Sequence, residues 1–241
     1  MRLVTWNCCK GPYARKIAHL ETLRADIAVV QECPRPPAES AQCLWFGDNP
    51  KQGITVLARA PYQLHRMMVL DDVPKFVIPV AVTGPYTFTL FAVWTKSNKD
   101  HRYIRAVVRA VEMYKEIISG GECVVLGDFN SNTVWDHLHP ESANHSFMVA
   151  QGRALGLVSA YHQFFDEAQG KESRPTYYHH RKGHFTYLID YCFMPQSWIE
   201  KFPLVEIGES AEWLVDSDHC PLIINVDVES VQELPGWAPA A

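Results

Sequence analysis

The 241-residue chain lacks a CxxC pair, a Gly/Ser-rich linker, a long run of like charge, a trustworthy internal repeat and any apolar run of membrane-spanning length. Each absence excludes something. Without paired cysteines there is no zinc ribbon or thioredoxin-type redox motif. The seven cysteines are odd in number and scattered, and most lie in or beside apolar runs, which predicts reduced thiols acting as small core residues. The first residues run straight into a strand-like segment with no apolar signal region, so the chain reads as cytoplasmic with no membrane partner. Basic excess is missing too: 22 Lys+Arg stand against 27 Asp+Glu, a formal net charge of −5. That argues against broad, sequence-independent duplex binding, which runs on phosphate neutralisation, but leaves room for a local basic patch.

What remains is an ordinary globular composition, 47% hydrophobic and 20% charged. With nothing dividing the chain, one domain is expected over residues 1–229, followed by a Pro/Ala-rich tail over 230–241. Arg2 to Asn7 alternates and predicts a first strand. Tyr13 to Arg24 carries Ile17, Leu20 and Leu23 at helical spacing. Asp26 to Gln31 reads as a strand ending in Glu32. Candidate strands then follow at 43–46, 53–58, 62–70, 76–82 and 87–94, separated by turn residues. A long helix is predicted from Asp100 to Ser119, stopped by Gly120-Gly121. After Cys123–Leu126, a helix opening at Ser146, a strand at Leu157–Tyr161 and an irregular stretch from Phe164 to Arg174 are expected. Thr176–His179 and Phe185–Met194 read as hairpin arms, and strands at 204–207 and 222–228 complete the set.

Several strands end in polar residues that an ordinary core strand would not carry. The stretch Val124-Val125-Leu126-Gly127-Asp128-Phe129-Asn130 is a buried strand that stops abruptly and presents an acid and an amide. Asp128 and Asn130 are two apart, so extended geometry points both to one side. Such a pair suits holding a water near a phosphate or metal, although Gly-Asp-x-Asn is also plain turn chemistry. Asp190 sits among Leu188, Ile189, Tyr191 and Cys192, which predicts a buried carboxylate in need of a partner; His219 is a candidate. Asn7, Glu32 and Asp218 read one by one as turn or strand-end residues, but turn roles for all of them together would be a coincidence.

Thr5-Trp6-Asn7, Gln31-Glu32, Gly127-Asp128-Phe129-Asn130, Ile189-Asp190-Tyr191 and Ser217-Asp218-His219 occur in this order. The set resembles the endonuclease/exonuclease/phosphatase superfamily of DNase I-like metal-dependent phosphohydrolases, from Thr5 to His219. The resemblance implies an α/β fold: a four-layer αββα sandwich of two mainly antiparallel sheets flanked by helices, with the site at one end. It implies a divalent-metal-dependent phosphoric ester hydrolase using Mg²⁺ or Mn²⁺. Glu32 would hold the cation through oxygen, with Asn7 and Asp218 nearby. Asp128 would orient or deprotonate the attacking water, helped by Asn130, and His219, held by Asp190, would donate to a phosphate oxygen.

The chain departs from the family pattern at two points. Relatives usually carry His or Tyr at the end of the strand before the long helix, where Trp94 stands here. Trp94 reads equally as a core aromatic or a substrate contact, and Lys96 or Tyr103 would be a replacement donor. Residue 9 is a cysteine where many relatives have another polar side chain, which favours one essential cation. The basic run His179-His180-Arg181-Lys182-Gly183-His184 is either a solvated hairpin tip or, through Arg181, Lys182 and His184, a grip on a phosphodiester backbone. Arg102, Arg105 and Arg109 read as a solvated helix face. His137, His139 and His145 lack a cysteine partner and do not suggest zinc. The expected function is hydrolysis of nucleic-acid phosphodiester bonds, as an endonuclease or exonuclease. The alternatives are a phosphatase or phosphodiesterase on a small phosphorylated molecule, and a catalytically silent binding module.

Overall fold

The computed structural model describes residues 1–97, 102–199 and 204–227. In chain order it runs β1 (Arg2–Asn7), α1 (Tyr13–Glu21), β2 (Ile27–Cys33), β3 (Cys43–Asn49), β4 (Gln52–Ala58), β5 (Gln63–Arg66), β6 (Val77–Thr83) and β7 (Phe88–Trp94). Then come α2 (Ile104–Met113), α3 (Lys115–Ser119), β8 (Cys123–Asp128), α4 (His145–Ala154), β9 (Leu157–Ser159) and α5 (Ala160–Phe165). The last third holds β10 (Tyr177–Tyr178), β11 (Thr186–Tyr187), β12 (Asp190–Pro195), α6 (Gln196–Ile199), β13 (Leu204–Ile207), α7 (Ser210–Trp213) and β14 (Leu222–Asn225).

Two six-stranded sheets form, in the orders β13-β14-β1-β2-β4-β3 and β5-β6-β7-β8-β12-β9. Each holds one parallel pair, β1/β2 and β7/β8, and is otherwise antiparallel. A parallel pair cannot be closed by a tight hairpin, so each is linked by a helical crossover: α1 in one sheet, α2 and α3 in the other. The inner faces share one core, in which Leu3, Ile27 and Val29 meet Leu90, Val124 and Cys192. On the outer face of the first sheet, Leu20 and Trp213 cover Val4, Trp6, Ala28 and Val30. On the outer face of the second, Val107, Val111, Met148 and Tyr161 cover Phe91, Val93, Val125 and Phe193. The result is the four-layer sandwich.

Strand direction decides where the polar tips go. β1, β2, β7 and β8 end on the same side, and β12 and β14, antiparallel to β8 and β1, begin there. Trp94 and Asp190 both register opposite Asp128. Residues separated by as many as 213 positions in sequence therefore meet at one end of the sandwich.

Local differences from the sequence reading have identifiable causes. The helix expected from Asp100 to Ser119 is two helices, broken at Tyr114 (φ −96°, ψ 9°). Tyr114 is buried against Phe91, ring centroids 5.1 Å apart, and anchoring that ring wins over helical continuity. Residues 98–101 lie outside the described residues, as does the tail expected over 230–241. Asn144, not Ser146, caps α4, its Oδ1 accepting from Phe147 N at 2.8 Å. The strand expected at Leu157–Tyr161 ends at Ser159, because Tyr161 and His162 are buried on one face of α5. The strand expected at 62–70 shortens to Gln63–Arg66. The expected hairpin arms pair over only two residues each, and β12 belongs to the large sheet instead.

Of the stretch expected to be irregular, Phe164 and Phe165 close α5, and the rest, to Arg174, is irregular but pinned. Glu167 Oε2 accepts from Tyr161 Oη at 2.7 Å and Ser173 N at 2.8 Å, and its Oε1 accepts from Arg174 Nη1 at 2.9 Å. Burial alone would raise the Glu167 carboxyl, but the Ser173, Tyr161 and Arg174 donors outweigh it and hold it at about 2. A depressed folded-state pKa contributes stability above the unfolded value, about 4.3, that is lost as pH falls towards the folded one. Glu167→Gln is therefore expected to cost about 1–3 kcal/mol at neutral pH. Urea unfolding should show that gap closing between about pH 4 and 2; a gap that persists below pH 2 would contradict it.

Candidate active site

Asp128 is the centre of the cluster and is fully buried. Gly127 before it adopts φ +154°, a conformation that side-chain-bearing residues rarely take, and this sets the turn that ends β8. Asp128 Oδ1 accepts from Asn130 N at 2.8 Å. Its Oδ2 accepts from Asn7 Nδ2 and Asn130 Nδ2, both at 2.9 Å. Asn130, at φ +45°, also donates from Nδ2 to Thr95 O at 3.1 Å, which fixes the amide from the β7 side. Burial, then the nearby Asp190 carboxylate, push the Asp128 pKa well above the ordinary carboxylate range.

Asp190 and His219 form the second half. His219 Nδ1 lies 2.8 Å from Asp190 Oδ2, which leaves Nε2 as the ring nitrogen not engaged by Asp190. Burial alone would lower the His219 pKa, but the Asp190 charge and hydrogen bond more than reverse it, to about 9. The Asp190 partner thus favours the protonated form of the His219 ring. Its orientation is over-determined: Trp6 Nε1 donates to His219 O at 3.0 Å, and His219 N donates to Ser217 Oγ at 3.0 Å. Ser217 Oγ in turn donates to Asn7 O at 2.6 Å, tying the segment before β14 to the tip of β1. Thr176 Oγ1 accepts from Ile189 N and Asp190 N at 3.2 Å, holding the start of β12.

Asp128, Asp190 and His219 each offer a ligand-type atom within 4.8 Å of the others. Asp190 Oδ1 is buried and has no hydrogen-bond partner among the described residues. An orphaned buried carboxylate oxygen is costly and marks a place where another group completes the site. Glu32 and Asp218 lie at the mouth, both half-buried. Glu32 sits at φ +54° where β2 loses its regular register with β4, with Lys10 Nζ 3.9 Å from its carboxylate. Burial raises the Cys9 thiol pKa, and the Asp218 and Glu32 charges raise it further, with a hydrogen bond to Asp218. Asp128 and Asp190, with Asn7 hydrogen-bonded to Asp128, supply hard oxygen atoms beside the orphaned Oδ1, a donor chemistry that suits a hard divalent cation and not a soft metal; Glu32 and Asp218, expected as cation ligands, lie outside this cluster, next to Cys9.

The other expected site residues fall into two groups. Trp94 is 3% exposed and packs against Phe76, ring centroids 5.3 Å apart, in the shared core. Lys96 Nζ lies 3.3 Å from the Trp94 ring centroid, so at this strand end the indole supports an ammonium group that faces the mouth. Arg181 turns towards the cleft, its Nη1 3.4 Å from Val215 O, and it hydrogen-bonds the Cys9 thiol. Lys182 and His184 are exposed on the loop between β10 and β11 and have no hydrogen bond or ion pair to the cluster among the described residues. Sequence reasoning missed Thr95 and Thr176, had Ser217 only as part of the Ser217-Asp218-His219 motif, and had Tyr177 only as an aromatic beside the basic run. Tyr177 packs its ring 4.9 Å from that of His219. Only the proximity of Thr176 and Tyr177 to the basic run singled out that region, because backbone-directed hydroxyls leave no sequence pattern.

Among solved structures, a variant of the 3′ phosphatase NExo from Neisseria, bound to a product DNA hairpin, superposes with a TM-score of 0.69 at 18% identity, covering 94% of this chain and 99% of that one. A 3′-5′ exonuclease from Neisseria meningitidis gives 0.68 at 20% identity, covering 94% and 100%. An AP endonuclease from Archaeoglobus fulgidus gives 0.65 at 15%, covering 94% and 99%. At these identities the likeness shows the fold. None of the curated protein sequences compared with the chain matches it. The profile of the Endonuclease/Exonuclease/phosphatase family matches residues 4–219, which takes in Asn7, Glu32, Asp128, Asp190 and His219. The chain belongs to the Endonuclease/Exonuclease/phosphatase family of hydrolases.

Proposed function

We propose that the chain is a divalent-metal-dependent phosphodiesterase that hydrolyses nucleic acid. The observation that carries this is the pairing of two buried units at the strand tips. One is Asp128 with Asn7 and Asn130; the other is Asp190 with His219 and an orphaned oxygen. Asp128 orients the attacking water and takes its proton, a role suited to a carboxylate whose pKa burial has raised. Asn7 and Asn130 fix the carboxylate so that it need not reorganise during the step. His219 Nε2 donates to a non-bridging phosphate oxygen, and Asp190 keeps the ring oriented and protonated. Glu32, with Asn7 and Asp218, would hold Mg²⁺ or Mn²⁺, which supplies Lewis-acid stabilisation of charge on the phosphoryl oxygens. Positioning and electrostatics do the work, as phosphoryl transfer requires.

Nucleic acid is favoured over a small phosphoester by the cleft beside Cys9. A 240 Å³ pocket there is lined by Lys10, Arg15, Lys16 and Arg181, four cations against one acid, Asp216, which pairs with Arg15 at 2.6 Å. Lys16 is buried and donates to Asp216 O, so the cations that can meet a phosphate there are Lys10 and Arg181. A local basic wall of this kind tracks a phosphate backbone in a chain whose total charge is negative. The named activities of the similar structures, 3′ phosphatase, 3′-5′ exonuclease and AP endonuclease, are consistent with a DNA phosphoester.

The test is turnover of single-stranded DNA, duplex DNA, RNA and a panel of phosphomonoesters, with Mg²⁺ or Mn²⁺ and after chelation. Chelation is expected to abolish cleavage, and re-addition of the cation to restore it. Glu32→Gln should raise the cation concentration needed for half-maximal activity at least about ten-fold. Turnover confined to small phosphoesters would replace nucleic acid with that substrate class. Cleavage that survives chelation would remove the metal from the mechanism.

A further inference from the structure

Where α5 meets the loop over 166–174, a buried polar network lies outside the phosphoryl chemistry. Its centre is Glu172, whose side chain is 5% exposed. Oε1 accepts from Gly170 N at 2.8 Å and lies 3.0 Å from His162 Nε2, and Oε2 accepts from Asn132 Nδ2 at 3.1 Å. His162 Nδ1 faces Ser159 Oγ at 2.7 Å and Gln169 Nε2 at 3.2 Å, so it accepts, and the ring hydrogen on Nε2 goes to Glu172. Burial alone would raise the Glu172 pKa, but the His162, Gly170 and Asn132 donors outweigh it and hold the carboxyl below its usual range. Asn132, 1% exposed and two residues after Asn130, joins this carboxylate to the catalytic tips. Its Oδ1 accepts from Val134 N at 3.0 Å, and its Nδ2 donates to Leu188 O at 3.0 Å as well as to Glu172. Tyr191 Oη spans the same gap, donating to Leu188 O at 2.9 Å and Ser131 O at 3.2 Å. The exit of β8 and the entry of β12 are thereby tied together just beyond the ladder pair of Asp128 and Asp190.

We propose that Glu172 is a positioning residue for the reaction: through Asn132 it sets how the Asp128 and Asp190 segments stand relative to each other. The proposal rests on the phosphodiesterase reading. Donors and acceptors decide how Asn132 lies. An amide can turn over and exchange its oxygen for its nitrogen, and an accepting-only partner at Glu172 Oε2 holds Nδ2 on the side of Leu188 O. A glutamine at 172 has one accepting oxygen and one N–H₂. Its oxygen is taken by Gly170 N and His162 Nε2, so its N–H₂ faces Asn132 Nδ2, donor against donor. Asn132 then withdraws, or it turns over, which sets its oxygen against Leu188 O and uncaps Val134 N. Both outcomes loosen the tie between the base at Asp128 and the His219 donor that Asp190 orients. A shift of about 1 Å at such a site costs on the order of 10²-fold in rate. Glu167, on the same loop, bonds only Tyr161, Ser173 and Arg174 among the described residues, so it anchors the loop without reaching the tips.

The experiment compares Glu172→Gln with Glu167→Gln, both Mg²⁺-loaded, on a single-stranded DNA oligonucleotide, at a temperature where circular dichroism shows both folded. Glu172→Gln is expected to lower kcat about 10–100-fold with KM nearly unchanged, and Glu167→Gln to keep the wild-type kcat. Equal kcat in the two variants would overturn the proposal, as would a Glu172→Gln effect confined to KM. A second readout needs no turnover. In the Mg²⁺-loaded protein without substrate, the His219 Nδ1 proton facing Asp190 gives a low-field NMR signal. That signal is expected to move in Glu172→Gln and to stay in place in Glu167→Gln; a signal that Glu172→Gln leaves unmoved contradicts the tie. If the wild type cleaves no phosphodiester, the phosphodiesterase reading fails by itself, and the NMR signal alone decides whether Glu172 reaches the site. Should Glu172→Gln not fold, Asn132→Ser, which shortens the tie and leaves Glu172 its other donors, is read by the same two measurements.

Discussion

Replacing Asp128 by asparagine is expected to lower phosphodiester turnover by about 10²–10⁴-fold while the chain remains folded. Both carboxylate oxygens of Asp128 are committed: one to Asn130 N, the other to the amides of Asn7 and Asn130. An asparagine of the same shape removes the negative charge and one acceptor, and its own N–H₂ must face one of these three donors. That mismatch costs about 1–3 kcal/mol, well below the ~5–15 kcal/mol that holds a domain of this kind folded. The water loses both the base that takes its proton and the group that aims it. The measurement pairs single-turnover cleavage at saturating cation with near-ultraviolet circular dichroism. A variant that keeps native-like spectra and loses cleavage supports the role. A variant with unchanged turnover would move the base elsewhere, and loss of native spectra would assign Asp128 to the fold.

The prediction depends on how the two halves of the site divide the work. Asp128 has its negative charge opposed by burial and by Asp190, which are the conditions that make a carboxylate a competent base. His219 has its positive charge sustained by Asp190, and this is what a donor to a phosphate oxygen requires. Asp190 therefore acts on both, raising the pKa of one neighbour directly and holding the proton of the other. Its register opposite Asp128 on β12 is the structural cause, since antiparallel pairing brings the two carboxylates together whatever the loops do.

Much of this is legible in the sequence. Buried strands that end in Asn7 and Asp128 or begin at Asp190 break the rule that core strands carry apolar residues, and several such breaks in one chain point to a shared site. The pairing of Asp190 with His219 follows from the cost of burying a lone carboxylate. What is not legible has a common physical origin: it depends on long-range geometry. The break at Tyr114 comes from a ring contact with Phe91 on β7, which helix periodicity cannot show. Residues Thr176 and Ser217 act through one hydroxyl on a backbone amide, and any loop serine or threonine reads the same way. The tie from Asn132 to Glu172 needs side chains 40 positions apart in sequence to meet. Trp94 reads as either core or substrate contact; its place under Lys96 shows an indole that is buried and also holds a cation at the mouth.

The largest expected effect on stability comes from a single methyl group at Gly127. In the parallel ladder of β7 and β8, Gly127 registers opposite Val93. A Cβ built on Gly127 would lie 2.0 Å from Val93 O, 2.7 Å from Val93 C and 2.9 Å from Val93 Cα. All three are backbone atoms of a central strand, so no side-chain rotation relieves the overlap. The φ of +154° adds strain that an L-residue meets even in open space. Relief requires moving the end of β8 away from β7, which breaks ladder hydrogen bonds and opens the core between Trp94 and Asp128. Gly127→Ala is therefore expected to cost more than about 4 kcal/mol, read as a large drop in the urea midpoint or as failure to recover folded protein. Gly121→Ala is the matched control, because nothing lies within 4 Å of a Cβ there; it should change stability by less than about 0.5 kcal/mol. If Gly127→Ala folds with near wild-type stability, the close approach of the two strands is not what positions Asp128. If it folds weakly, its residual cleavage should fall further than stability alone explains, because the displaced residue carries Asp128 and Asn130 with it.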